Sequence, residues 1–233
     1  MRWGVVIFPG SNCDRDVFHV LKDVLGEDVH FLWHKNGSVE PLGEGDWIIL
    51  PGGFSYGDYL RAGAIARLSP IMKAIKRHVE KGGYVLGICN GFQILCEAGL
   101  LPGALVMNTN GRFICQPQYV RVETSNTPLT NLIADGTVLN IPIAHKEGRY
   151  YVDNETLKSM YANDQILFKY SDESGVVTDT TNPNGSVDNI AGVCDANKQV
   201  FGMMPHPERS AEQLIGNDDG LQIFKSIVQW AGK

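Results

Sequence analysis

The chain has 233 residues, 43% hydrophobic and 20% charged, with 20 Lys and Arg against 26 Asp and Glu and a formal net charge of -6. At that size one core can bury roughly 70% of the unfolded surface without a metal or disulfide staple, so a single domain over residues 1–233 is expected. The acidic balance, with no Lys/Arg-rich run, excludes a broad nucleic-acid footprint, which needs clustered positive charge.

Five scattered cysteines (Cys13, Cys89, Cys96, Cys115, Cys194) include no C-x-x-C pair, so no metal site is expected and a reducing compartment is. The apolar start is too short for a signal peptide and no stretch is long enough to span a bilayer, which predicts a cytoplasmic protein with no membrane partner.

In the first half, short apolar runs ending in Gly or Pro alternate with stretches of helical period, the signature of a parallel sheet with crossover helices. Strands are predicted over 5–8, 29–33, 47–50 and 84–88. Val17, Val20, Leu21 and Val24 recur at helical spacing before Gly26, a C-cap candidate. A second helix begins at Pro70, repeats Ile71, Ile75 and Val79, and stops at Gly82-Gly83; a third follows Cys89 directly. The second half is richer in strands, predicted over 113–123, 138–144, 165–170, 190–194 and 200–204. A closing helix has Leu221, Phe224, Ile227, Val228 and Ala231 on one side. The polar stretch 171–186 is the expected mobile loop, set between strands of one sheet. The fold class is α/β: a mostly parallel central sheet flanked by helices.

The chemistry concentrates in Gly87-Ile88-Cys89-Asn90-Gly91-Phe92-Gln93, where an apolar strand meets a helix at a cysteine with glycine two residues away on each side. This is the cysteine form of a nucleophile elbow. A strand turning sharply into a helix crowds those two positions, where only glycine avoids a Cβ clash, and thrusts the apex side chain outward. The helix N-terminus offers unpaired N–H groups to an oxyanion formed beside the sulfur. In isolation such a cysteine reads equally well as a small buried hydrophobe between turn glycines.

The segment Val200-Phe201-Gly202-Met203-Met204-Pro205-His206-Pro207-Glu208 changes that balance. The prolines hold Met204 and His206 out of the helical region, and in an extended chain Glu208 falls on the same side as His206 and orients its ring. Cys89, His206 and Glu208 then form a triad defined by roles. For the oxyanion, the Asn90 N–H is one donor and the Gly53 N–H, in Leu50-Pro51-Gly52-Gly53-Phe54 at a strand end, is the other. Neither a P-loop nor a G-x-G-x-x-G fingerprint occurs.

These residues resemble those of class I glutamine amidotransferases, of flavodoxin-like fold, which hydrolyse glutamine to glutamate and ammonia through a thioester. Longer runs, Pro9-Gly10-Ser11-Asn12-Cys13-Asp14, the stretch 51–67, and Gly202-Met203-Met204-Pro205-His206-Pro207-Glu208-Arg209, resemble the glutaminase subunits of a purine-biosynthesis synthetase. The resemblance implies Cys89 as nucleophile, His206 as base and then acid, and Glu208 as its orienting residue. It implies substrate contacts at Gln93, Gly52 and Phe54. His145 and Glu147, in Ala144-His145-Lys146-Glu147-Gly148-Arg149-Tyr150, are implied contacts to the amino-acid head group, although the family more often has glycine where this chain has Lys146.

Asp58 and Arg61 are read either as functional or as an ion pair within their loop, and 108–113 is unassigned. No cofactor is expected on the chain. The implied partners are a large synthetase subunit, using ATP and Mg²⁺ to convert formylglycinamide ribonucleotide to its amidine on the way to IMP, and a small accessory subunit. A γ-glutamyl hydrolase and a non-catalytic chaperone or sensor are the rival readings.

Overall fold

The computed structural model describes residues 1–231, which fall into two compact units: Met1–Leu101 with Gln199–Gly202, and Pro102–Lys198 with the chain from Met203 onward. Among the described residues no helix is long and apolar enough to cross a membrane.

The first unit interleaves strands and helices as predicted. It runs β1 (Arg2–Ile7), α1 (Asp14–His19), β2 (Asp28–Trp33), β3 (Trp47–Leu50), α2 (Pro70–Glu80), β4 (Tyr84–Ile88) and α3 (Asn90–Glu97), with β2 running on to β3 without a helix between them. Its strands are parallel in the order β2-β1-β3-β4. Every residue of β3 is buried, as are residues 3–6 of β1, because helices cover both faces of a parallel sheet. Trp47 stacks on Tyr84 at 4.9 Å and on Phe201 at 5.5 Å, tying neighbouring strands by their largest apolar side chains.

The predicted first helix is α1 followed by one π-helical turn, Val20–Val24, with Val17, Val20 and Leu21 buried. In α2 the buried row is Ile71, Met72, Ala74, Ile75 and His78, while Val79 is half-buried. His78 takes that inward place because its Nε2 hydrogen-bonds the Asp46 carbonyl at 3.0 Å. Gly83 is bare for the same reason: a Cβ there would lie 2.1 Å from His78 Nε2.

The second unit holds β5 (Ala104–Val106), β6 (Ile114–Gln116), β7 (Tyr119–Val122), β8 (Val138–Asn140), β9 (Ile143–His145), β10 (Arg149–Tyr151), α4 (Asn154–Ala162), β11 (Ile166–Tyr170) and β12 (Ile190–Cys194). After β13 (Val200–Met203), which enters the first unit through Gly202, it closes with α5 (Leu221–Ala231). Its strands pair antiparallel in the order β12-β11-β7-β8, with two small ribbons, β10-β5 and β6-β9.

Two predicted strands are each broken in two. The run 113–123 splits into β6 and β7 around Pro117, and 138–144 into β8 and β9 around Pro142, since proline cannot donate to a ladder. The strands on either side of 171–186 are β11 and β12, which lie in one sheet as expected and pair antiparallel. The stretch between them is no bare loop: Ser171, Asn184 and Ser186 are buried, and Ser186 Oγ donates to Asn184 Oδ1 at 2.8 Å. On α5, Leu221, Phe224 and Ile227 are buried and Val228 half-buried, while the side chain of Ala231 lies outside the described residues.

The first unit's packing around β13 is tight enough to test. A Cβ at Gly202 would lie 2.1 Å from Cδ2 of the fully buried Phe92 and 2.7 Å from Leu101. Gly202→Ala should therefore destabilise the protein by about 1–3 kcal/mol, the usual cost of overpacking a core. Gly37→Ala, with nothing within 4 Å, should move the urea midpoint far less.

Candidate active site

The nucleophile elbow is built from backbone collisions that only glycine avoids. Cys89 caps α3 with φ 49 and ψ -104, a left-handed conformation that L side chains rarely adopt. A Cβ on Gly91 would stand 1.9 Å from the Leu50 carbonyl oxygen, and one on Gly87 would stand 2.6 Å from the Gly91 carbonyl. The strand-to-helix turn is thus wedged against the end of β3, as the spacing predicts. Cys89 itself is 5% exposed.

The Gly52-Gly53-Phe54 segment lies in the same unit. Gly53 has φ 141, and a Cβ there would meet Asn12 N and Ser11 Cα at 2.7 Å. It forms an isolated antiparallel bridge with Ser11 whose hydrogen bonds run between flanking residues: Phe54 N–H to the Gly10 carbonyl at 3.0 Å, and Asn12 N–H to the Gly52 carbonyl at 3.4 Å. The bridge therefore does not consume the Gly53 N–H. Phe54 is 46% exposed, whereas Asn90 and Gln93 are buried on the first turn of α3.

The loop that follows is fastened to α3. Ser55 N–H donates to Asn90 Oδ1 at 3.1 Å, and Asn90 Nδ2 donates to Asp58 Oδ1 at 3.2 Å and to Gln93 Oε1 at 2.9 Å. Arg61 makes a two-pronged ion pair with Glu97, both contacts at 2.6 Å. Of the two readings given above for Asp58 and Arg61, the ion pair within the loop is not formed: both reach out of the loop to α3, Asp58 to Asn90 and Arg61 to Glu97.

In the second unit His206 and Glu208 meet as predicted, Nδ1 to Oε1 at 2.6 Å, with both residues 2% exposed. The route differs from the extended chain expected. Pro207–Arg209 forms a 3-10 turn that brings Glu208 back under the ring, and the His206 N–H donates to the Pro142 carbonyl at 2.9 Å. Gly220 is bare because a Cβ would sit 2.1 Å from the Pro207 carbonyl oxygen.

His145 belongs to this unit and is 3% exposed, while Glu147 is half-buried and Lys146 exposed. Its backbone is held by Asn108, a residue with no assigned role in the sequence. Asn108 Nδ2 donates to the His145 carbonyl at 3.0 Å, and its Oδ1 accepts from the Gly148 N–H at 3.1 Å. Asn184 Nδ2 donates to the Gly148 carbonyl at 2.8 Å. No local spacing signals these contacts, which span 36 to 40 residues. Among the described residues neither His145 ring nitrogen has a hydrogen-bond partner. Burial, and secondarily the charge that His206 would carry, push the His145 pKa down to about 4, so the ring is neutral near pH 7.

The comparisons with known proteins bear on this geometry. The family model of the CobB/CobQ-like glutamine amidotransferase domain matches residues 1–231. The chain belongs to this family. Subunits PurQ of phosphoribosylformylglycinamidine synthase are similar over almost their whole length. That of Salinibacter ruber is 55% identical over 227 residues, covering 97% of this chain and 95% of the relative. That of Moorella thermoacetica is 55% identical over 230 residues, covering 99% and 96%. In the solved PurLQS structure from Thermotoga maritima, one chain superposes with a TM-score of 0.85 at 42% identity, each chain 98% covered. The fold is accordingly the mixed, mostly parallel sheet with flanking helices of glutamine amidotransferases, the class expected from the sequence.

The neutral His145 gives a pH signature. Its folded pKa lies below the ordinary value of 6.5, so the unfolded chain binds the extra proton as pH falls. Its contribution to stability is fully present above pH 6.5 and is lost between pH 6.5 and about 4, amounting to about 3 kcal/mol. His145→Gln should flatten the dependence of unfolding free energy on pH across that window, measured by urea denaturation at a series of pH values.

Proposed function

We propose that this chain is the glutaminase subunit of a phosphoribosylformylglycinamidine synthase, acting as one glutaminase domain. The observation that carries the reading is the left-handed Cys89 at the head of α3, the backbone conformation of a nucleophile elbow beside a helix N-terminus.

The proposed chemistry is acyl transfer. Cys89 attacks the side-chain carboxamide carbon of glutamine while His206 removes the thiol proton. The negative oxygen of the tetrahedral intermediate is received by the Gly53 and Asn90 N–H groups. Collapse breaks the C–N bond, and His206 returns the proton to the departing ammonia, leaving a glutamyl thioester. Water, deprotonated by His206, then hydrolyses the thioester to glutamate. Glu208 holds Nδ1 of His206, which fixes the tautomer whose Nε2 accepts the proton.

Covalent reach supports joining the two sets of residues. Three residues separate Gly202 from His206, so even a fully extended chain holds their Cα atoms within roughly 14 Å. Gly202 lies against Phe92, on the first turn after Cys89. Gln93, Gly52, Phe54, His145 and Glu147 are assigned to the bound glutamine.

Amidine formation needs a phosphorylated intermediate, and the chain carries no nucleotide motif for making one. We assign that step, with its ATP and Mg²⁺, to a PurL-like synthetase subunit that receives the ammonia, with a PurS-like accessory subunit, in the cytoplasm.

Cys89→Ala is the direct test. In the assembled enzyme it should abolish glutamine-dependent synthesis, by at least about 10³-fold given loss of the nucleophile, and leave synthesis from added ammonium salt unchanged. Loss of both activities would mean that the cysteine is structural. The wild-type chain assayed alone should hydrolyse glutamine more slowly than with its partners; equal rates would remove the case for coupling.

A further inference from the structure

The network around Asn90 carries information that the proposed mechanism does not use. Three groups converge on one side-chain amide: the Ser55 N–H on Oδ1, and the Asp58 carboxylate and Gln93 Oε1 on Nδ2. A backbone N–H is a donor only and an ionised carboxylate an acceptor only, so together they dictate which end of the Asn90 amide faces which neighbour. Turning it over would set Nδ2 against the Ser55 N–H and Oδ1 against the Asp58 carboxylate, two repulsions in place of two hydrogen bonds.

That orientation is passed on. Because the Asn90 atom facing Gln93 is a donor, the Gln93 atom facing it is the oxygen, and the other end of the Gln93 side chain is its NH2 group. We infer that Asp58 is a positioning residue for the substrate: through Asn90 it fixes Gln93 as a hydrogen-bond donor, matched to an oxygen of glutamine and not to a nitrogen. The inference rests on the reading of Gln93 as a substrate contact.

The loop is built to hold Asp58 in place. Asp58 has φ 54, and Tyr56, Gly57 and Leu60 are also left-handed, so the segment turns repeatedly within a few residues. Its far end is pinned by the Arg61–Glu97 pair and by Gly63, where a Cβ would lie 2.8 Å from Ile94 N and 2.9 Å from Gln93 C. Near its start Tyr56 OH bonds His34 Nδ1 at 2.8 Å and Ser69 Oγ at 3.0 Å. Asp58 is thus presented from a fastened loop to a fastened helix, and a buried amide between two such supports keeps one orientation.

The test uses the assembled enzyme, with synthesis from ammonium salt as internal control. Asp58→Ala should raise KM for glutamine about fivefold to tenfold, change kcat less than about twofold, and leave the ammonia-dependent rate unchanged. Asp58→Asn, whose Oδ1 still accepts from Asn90, should restore most of the affinity. Gln93→Glu keeps the acceptor toward Asn90 and replaces the NH2 donor with an acceptor, so it should raise KM at least as far as Gln93→Ala does. An unchanged KM in Asp58→Ala, a fall confined to kcat, or a Gln93→Glu enzyme that binds glutamine as well as wild type would each overturn the inference. Failure of the glutaminase reading is seen separately, as glutamine-dependent synthesis that survives in Cys89→Ala.

Discussion

The Gly91 backbone passes so close to the Leu50 carbonyl that no side chain fits between them. This contact decides where the rest of the nucleophile half goes. It sets the first turn of α3 against the end of β3, the strand whose continuation supplies Pro51, Gly52 and Gly53. It also forces the chain at Cys89 to turn within one residue, which the positive φ there records. The sulfur, the helix N-terminus and the Gly53 backbone are placed by one close approach of main chain to main chain.

A left-handed non-glycine residue costs of order 1–3 kcal/mol and persists only where its surroundings over-determine it. At Cys89 the surroundings are α3 itself. Phe92, Ile94 and Leu95 are fully buried, and each such side chain contributes about 1.5–3 kcal/mol on burial. Their sum exceeds the strain, so the elbow is retained as long as α3 stays docked. The strain is local and its compensation spreads over a helix.

The parts of this design legible in the sequence are those fixed by covalent geometry and short spacing. The interleaving of strands and helices in the first half, the glycines flanking Cys89, and the proximity of His206 to Glu208 all follow from residues a few positions apart. The strand breaks at Pro117 and Pro142 were equally local, and a reading that weighed proline against apolar content would have found them. So would α4 have been found, since Asp153 caps it by accepting from the Glu155 and Thr156 N–H groups. What spacing does not reveal is long-range hydrogen bonding. Asn108, Asn184 and the Asn90–Asp58 contact each join residues tens of positions apart, and an asparagine in a polar stretch looks the same whether it faces water or a buried carbonyl.

Cys89 in the first unit and the His206–Glu208 pair in the second are held by different physics, and in the proposed mechanism the difference suits their tasks. The nucleophile half is fixed by steric exclusion, which has no dependence on pH. In that mechanism His206 exchanges protons while buried, and any second titrating group in contact with it would couple to that exchange. The side chains that pin the 145–148 turn are accordingly amides and a hydroxyl: Asn108, Asn184 and Ser186. The ionisable ring among them, His145, has its pKa pushed to about 4 and stays uncharged through the neutral range. In the proposed mechanism the proton passes through His206, and the neutral His145 adds no charge beside it.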